Sequence, residues 1–520
     1  MIGETWHCVN AAHRGMAHSN CIARGKNEYN TTTIACEPII AGETAVESMN
    51  FIAGAWEGTS RVFTRENPAQ PAETVAVYPL SGKDEAVRAF AAAEAAFPRW
   101  KATPLIERAR ILQRAARNLE GRLEETAQLL AREVGKPIGE ARGEVRRAVD
   151  LLEYYAAFAW QPEGYVVASA RPRTELRAIR IPLGVIALVT PWNFPIAIPT
   201  WKLAPALILG NTVVLKPASP GPGGAIALVR ALEQAGLPPG VVNLVIGPGT
   251  PFGQALAETA ALRAVSFTGS VEVGTKLKAT LAERMARVQL ELGGKNPFVV
   301  WEDADLDEAA RLAAEGAFFY AGQKCTATSR VLVHHTVYAP FRERFVAATQ
   351  ALALGDPRDE TTRIGPLIDP VSHRNVVHWT ARAVADGGTL LTGGIAPDRP
   401  GYFFAPTIID GLSLDAPLAQ EEVFGPLVTL HPVSDLAGAI AAANATRFGL
   451  SASISTRSLE IAEGFLAGCD AGLVHVNQPT AGVEYQAPFG GARASGFGGK
   501  EQSWAALDFY GDWKTQVVRI

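Results

Sequence analysis

The segment 321–330, AGQKCTATSR, places one thiol, Cys325, among small and hydroxylated residues directly after Lys324. Such a cysteine is either a small buried core residue or a nucleophile, since a thiolate is stabilised beside a positive charge and must stay reachable to react. Upstream, VQLELGGKNP ends an apolar run at Glu291 and follows it with two glycines. A carboxylate near low-dielectric surroundings holds its proton more tightly, which suits a general base at neutral pH; a strand-end cap or an ion-pair partner is the plainer reading. TPWNFP brackets Asn193 between prolines and aromatic residues. An amide held in so rigid a turn can donate to a developing oxyanion, or simply bond its own backbone.

These residues need a scaffold, and the hydrophobic pattern describes one. Residues 84–160 are helix-rich, with apolar positions at i, i+3, i+4 and i+7 in DEAVRAFAAAEAAF and in PLIERARILQRAARNLEGRLEETAQLLAREV. The period then changes. ELRAIRIP alternates like a partly exposed strand and GVIALVT runs apolar like a buried one. TVVLKP, VVNLVIG and AVSFTG follow, each succeeded by a helical stretch, a rhythm that predicts βαβ units and a parallel sheet. Ligands on such sheets bind beyond the carboxyl ends of the strands. Those ends carry LKPAS, GPG and FTGSVEVG. Each glycine alone could be a simple turn, and GPGTPFG has one residue too many for the dinucleotide fingerprint. Three such strand ends in succession, two of them carrying glycine, point to a nucleotide site, with backbone and helix N-termini free to approach a pyrophosphate. A second α/β section runs from GGKNPFVV to about residue 475, and the C-terminal GDWKTQVVRI reads as a strand. With ELRAIRIP it could form a small sheet that pairs between subunits.

Length and composition narrow the class. A chain of 520 residues suggests several domains, and 48% apolar with 19% charged residues fits a soluble enzyme. The net charge of −4 offers no basic field for nucleic acid or an anionic membrane. The longest apolar stretch, GVIALVTPWNFPIAIP, is broken by prolines and Asn193, so no membrane helix is expected. Five cysteines in so long a chain do not make a disulfide scaffold, which predicts a reducing, cytoplasmic setting. Residues 1–48 stand apart: they hold Cys8, Cys21, Cys36 and three histidines without apolar periodicity. The cysteines lack the close pair of a structural zinc site, so no metal is expected. A disordered N-terminal extension is the reading, with order beginning at Met49.

From about Met49 to Ile520 the chain resembles the aldehyde dehydrogenase superfamily. The resemblance rests on PWNFP (191–195), LKP (215–217), FTGS (267–270), LELGGKNP (290–297), GQKC (322–325), EEVFGP (421–426) and PFGGARASGFG (488–498), in family order and with the family's separation of Glu291 from Cys325. It implies an α/β fold of two Rossmann-like parallel-sheet domains and a β oligomerisation arm. Residues 49–160 and 183–290 would form the cofactor-binding domain and 291–504 the catalytic domain. Residues 161–182 and 505–520 would form the arm of a homo-oligomer, dimer or tetramer. Cys325 would attack an aldehyde to give a thiohemiacetal, with Asn193 and the Cys325 N–H on the oxyanion. Glu291 would activate water against the resulting thioester, and Lys202 would support the proton relay. Trp192, Lys216, Ser219, Gly249, Gly269, Ser270, Gly274, Glu422 and Phe424 would hold the cofactor: Lys216 the adenosine ribose, Ser270 and the loop 269–274 the pyrophosphate, Glu422 the nicotinamide ribose. This chemistry needs a soft nucleophile, a distinct base and a donor aimed at developing charge, which these residues supply.

Where NAD-preferring members commonly read KPSE, this chain reads KPAS, leaving Ser219 in place of a glutamate that would repel a 2′-phosphate. NADP is therefore expected to be accepted and preferred over NAD. GQKCTATSR and NQPTAGVEYQAPFGG are similar to the branch that oxidises 2-oxoglutarate semialdehyde (2,5-dioxopentanoate), and Lys324 and Arg330 are candidates to attract its carboxylate. The alternatives are another aldehyde such as succinic semialdehyde, a coenzyme A-acylating relative, against which Glu291 argues, and a non-catalytic scaffold, against which the intact Cys325, Glu291 and Asn193 argue.

Overall fold

The computed structural model describes residues 46, 47 and 49–520. The expected disordered extension and its three cysteines lie outside the described residues, apart from Val46–Glu47, which pair in parallel with Ala76 and Val77. The helix-rich region comprises Lys83–Ala102, Leu105–Glu120, Leu123–Val134 and Ile138–Ala156. In the last of these Ala141, Val145, Ala148, Val149 and Leu152 face the core at helical spacing.

The βα rhythm forms the first large sheet. Its order is Gly496–Phe497, Arg287–Glu291, Leu262–Thr268, Val185–Thr190, Thr212–Pro217, Val242–Leu244, Asn50–Ile52, Ala55–Glu57. The five middle strands run parallel and the pairings at both edges are antiparallel. Chain order advances from Val185–Thr190 to Val242–Leu244 in one direction and then resumes on the other side with Leu262–Thr268. That reversal is a topological switch point, where the loops after two adjacent strands diverge and leave a crevice. The loops concerned are TPWNFP and GSVEVG.

A second sheet follows the order Thr389–Thr392, Thr407–Asp410, Leu427–Val433, Thr328–His334, Asn296–Val300, Ser451–Ser455, Leu473–Val476, parallel except at its first pair. The segment 292–295 links the carboxyl end of Arg287–Glu291 in the first sheet to the amino end of Asn296–Val300 in the second. Cys325 precedes Thr328–His334, at the same amino end of that sheet. The segments that carry Asn193, Glu291 and Cys325 thus meet where the carboxyl edge of one sheet faces the amino edge of the other.

The expected small sheet is also present. Gly511–Arg519 pairs antiparallel with Thr174–Pro182 along its whole length, and Gly164–Val167 adds a third strand. Two boundaries differ from the reading of the sequence. Ala505–Tyr510 is a helix packed on the helix Ala197–Ile208 rather than part of that sheet. Gly496–Phe497 returns to the first sheet, because its backbone completes the otherwise open edge of Arg287–Glu291. No helix among the described residues is long and apolar enough to cross a membrane. No group of three or more His, Cys, Asp or Glu that could hold a metal occurs among them.

Candidate active site

Cys325 lies on the wall of a cavity of about 340 Å³. Phe194, Ile198, Trp201, Phe319, Val483 and Phe489 give that wall its apolar character. The residue is partly exposed, yet the surrounding protein desolvates its thiol. Burial pushes the thiol pKa up to about 12, with the Glu422 and Glu291 carboxylates adding repulsion and backbone N–H groups of Cys325 and Thr326 opposing it. Lys324 does not supply the activating charge that its position in sequence suggests. Its ammonium points away to Glu140, at 2.7 Å.

Asn193 is buried, and its Nδ2 donates to the carbonyl of Gln323 at 3.0 Å, two residues before the thiol. An amide nitrogen has two protons, so one remains for an oxyanion formed at Cys325. The turn itself is clamped from below. Lys136 donates to the Asn193 carbonyl at 2.7 Å and pairs with the buried Glu144, which accepts from the N–H groups of Ile196 and Ala197 at 3.0 and 3.1 Å. The Lys136 ammonium also lies 4.0 Å from the ring centre of Phe194.

Glu291 ends its strand with its carboxyl group buried against Gly490 and Gly491, accepting from the Gly491 N–H at 3.3 Å. A Cβ at Gly490, whose φ is +149°, would collide with that carboxyl group. Burial raises the Glu291 pKa well above the usual carboxylate range; Glu501 raises it further, while Lys202 and Lys500 pull it down. Lys202 does not line the cavity. It is buried behind it, paired with Glu501 and donating to Ser266 Oγ at 2.7 Å. Glu501 also accepts from the indole N–H of Trp201 at 2.6 Å.

The residues expected to hold a cofactor lie along the carboxyl edge of the first sheet. In strand order they are Gly269 and Ser270, then Trp192, then Lys216 and Ser219, then Gly249. Ser270 caps the helix Val271–Leu281 by accepting from the Val273 N–H at 3.3 Å. Gly249 opens the helix Gly249–Glu258 with unoccupied space where a Cβ would stand. Gly269 and Gly274 are constrained by protein neighbours, since a Cβ would meet the Phe267 ring and the Leu292 side chain respectively. Lys216 is buried, its one hydrogen-bond partner among the described residues is the Pro217 carbonyl at 3.0 Å, and burial lowers its pKa to about 8. Ser219 donates to the Gly247 carbonyl at 3.0 Å.

Trp192 and Phe424 pack edge to face, ring centres 5.6 Å apart. The Glu422 carboxylate accepts from the Gly294 N–H at 3.1 Å and occupies the space where a Cβ of Gly293 would be. Burial raises its pKa to about 7. A buried cation with no carboxylate partner among the described residues, open space at one helix N-terminus and a capped second helix fit the phosphates and ribose of a dinucleotide.

These are the elements of a covalent aldehyde oxidation, and the comparison with known proteins decides the family. The sequence profile of the aldehyde dehydrogenase family matches residues 56–516. The chain belongs to the aldehyde dehydrogenase family. This aldehyde dehydrogenase is 41% identical to an alpha-ketoglutaric semialdehyde dehydrogenase of Bacillus subtilis, over 91% of this chain and 98% of the relative. It is 43% identical to an alpha-ketoglutarate semialdehyde dehydrogenase of Haloferax volcanii, over 90% and 98%. A crystal structure of an NAD-dependent aldehyde dehydrogenase from Sinorhizobium meliloti superimposes with a TM-score of 0.89 at 36% identity, covering 92% of this chain and 95% of that one. Members of the family use NAD or NADP.

Several residues of this aldehyde dehydrogenase escape a reading of the sequence. Glu140, Glu144 and Arg147 fall at i, i+4 and i+7 of the helix Ile138–Ala156, a polar stripe that looks like a solvated face. Glu140 and Arg147 instead line the cavity, and Glu144 supports the Asn193 turn. Glu501, in GGKEQS, reads as a loop acid; its burial beside Lys202 is visible only in three dimensions. Arg330 is corrected in the other direction. It is fully buried, donating to the carbonyls of Lys295, Ala442 and Ala443, and does not face the cavity.

Proposed function

We propose that this aldehyde dehydrogenase oxidises 2-oxoglutarate semialdehyde to 2-oxoglutarate, with NADP preferred over NAD. The observation that carries the substrate is the similarity, along nine-tenths of the chain, to two enzymes named for that semialdehyde. In this reading Cys325 Sγ bonds to the aldehyde carbon as its thiol proton departs. So weakly acidic a thiol needs a base, and the raised pKa of Glu291 equips that carboxylate to take the proton. The free Nδ2 proton of Asn193 and the Cys325 N–H hold the new oxyanion. Bound NAD(P) supplies the hydride acceptor. The proton Glu291 took from the thiol is first passed on toward the buried Lys202–Glu501 pair; Glu291 then takes a proton from the water that opens the thioester and returns it to the departing Cys325 thiolate. Trp192, Phe424 and Glu422 would hold the nicotinamide end, and Lys216, Ser219, Gly249, Gly269, Ser270 and Gly274 would hold the adenosine and pyrophosphate end.

The preference for NADP rests on charge. Burial alone lowers the Lys216 pKa, no carboxylate among the described residues pairs with it, and Ser219, three residues on, carries no charge. A 2′-phosphate would meet attraction there and no repulsion. The small sheet of Gly164–Val167, Thr174–Pro182 and Gly511–Arg519 is proposed as the arm of a homo-oligomer, because Val166, Trp513 and Val517 expose apolar surface on it.

Initial rates of reduced-cofactor formation with 2-oxoglutarate semialdehyde, NADP against NAD, test the assignment, with Cys325→Ala as the blank. Fast turnover of pentanal but not of the semialdehyde would reject the substrate. Ser219→Glu is expected to swing the kcat/KM ratio toward NAD, and an unchanged ratio would reject the cofactor argument.

A further inference from the structure

The cavity beside Cys325 has four charged residues on its wall: Glu140, Arg147, Glu315 and Lys324. Three of them are neutralised by protein partners. Glu140 and Lys324 pair with each other at 2.7 Å, and Glu315 pairs with Arg311 at 2.5 Å. Arg147 is different. Its Nη2 donates to Gln502 Oε1 at 3.0 Å, its guanidinium lies 5.9 Å from the Trp201 ring centre, and its Nε is cut off from solvent without an acceptor among the described residues. Glu484, Glu144 and Asp150 act on it through space, but none is within ion-pair distance among the described residues. Glu144 is already committed to Lys136 and to two backbone N–H groups. Keeping a guanidinium in a largely apolar wall without a counter-ion is costly. A ligand that brings a carboxylate removes that cost and gains a charge-assisted, fork-shaped pair of hydrogen bonds.

We infer that Arg147 is the specificity residue that receives the carboxylate of the substrate, at the end remote from the aldehyde presented to Cys325. The inference rests on the proposed acidic-semialdehyde substrate and adds the group that selects it. Gln502 is a positioning residue in this scheme. Its φ of +59° marks a constrained turn, and its amide oxygen holds one guanidinium nitrogen while leaving the others to the substrate.

The test compares 2-oxoglutarate semialdehyde, succinic semialdehyde and pentanal as substrates of the wild type, Arg147→Leu and Arg147→Lys, with thermal midpoints measured in parallel. In Arg147→Leu, kcat/KM for the carboxylate-bearing aldehyde the wild type prefers should fall on the order of 100-fold, chiefly through KM, while pentanal turnover holds or improves. Arg147→Lys keeps the charge without the fork and should lose about tenfold. Equal losses on pentanal and on the acidic aldehydes, or no selective loss in either variant, would overturn the role of Arg147. So would a wild type with no preference for carboxylate-bearing aldehydes over pentanal. A wild type that prefers succinic semialdehyde, with that preference lost in Arg147→Leu, would support this role while rejecting the 2-oxoglutarate semialdehyde assignment.

Discussion

Replacing Glu422 by glutamine should make the resting thiol more reactive rather than less. The amide oxygen can keep the hydrogen bond from the Gly294 N–H, so the change removes charge with little change of shape. With the Cys325 pKa near 12, about one thiol in ten thousand is ionised at pH 8. Glu422 is the larger of the two carboxylate repulsions on it, and its own pKa near 7 leaves it about 90% ionised at pH 8. Removing one such charge lowers the thiol pKa by about one unit and gives about tenfold more thiolate. A less basic thiolate is also a weaker nucleophile, and a Brønsted slope of about 0.45 takes back roughly a factor of three. The net expectation is about threefold faster alkylation by iodoacetamide at pH 8, measured without cofactor as loss of activity and as mass added to Cys325. At pH 6 the wild-type Glu422 is mostly protonated, so wild type and Glu422→Gln should then react alike. Slower or unchanged alkylation at pH 8, or an equal gain at both pH values, would refute the electrostatic account of this thiol.

Lys202 lowers the Glu291 pKa and Glu501 raises it. The acid limb of thioester hydrolysis should therefore move up by about one pH unit in Lys202→Met and down by about one in Glu501→Gln, and movement in the same direction would reject the relay. Lys136→Met strands the buried Glu144 carboxylate, so stability should fall by about 3–5 kcal/mol in urea unfolding, with much of the loss recovered in Lys136→Met/Glu144→Gln. Asn193→Ala should reduce kcat by about 100- to 1,000-fold with the cofactor Kd unchanged, read by fluorescence titration. Val517→Asp on the exposed strand Gly511–Arg519 should lower the mass seen by light scattering if the small sheet is the oligomer contact.

Strand–helix alternation, the two α/β sections and the strand character of ELRAIRIP and of the C-terminal segment were legible because apolar period and strand length report burial locally. Cys325, Glu291 and Asn193 stood out because each belongs to a short motif whose neighbours are rigid or small. What remained hidden was partnership between distant segments. Lys324 looked like the activator of Cys325, but its charge goes to Glu140 on a helix nearly two hundred residues earlier. Arg330 looked free and is committed to three carbonyls. Arg147 drew no notice in the sequence and lines the cavity, because helical spacing fixes which residues share a face but not what that face meets. Glu501 carries no local signal of burial at all.

The pairing of Gly496–Phe497 with Arg287–Glu291 has a consequence for the order of events on the ribosome. Glu291 sits opposite Gly496 in that ladder. At about 5–20 residues per second, synthesis reaches Gly496 roughly 10–40 s after Glu291. For that interval the strand bearing Glu291, the proposed general base, has a bare edge, able to pair with any other extended segment. Chains interrupted after the second sheet but before Gly496 keep that edge permanently, so they should aggregate through the strand that carries Glu291.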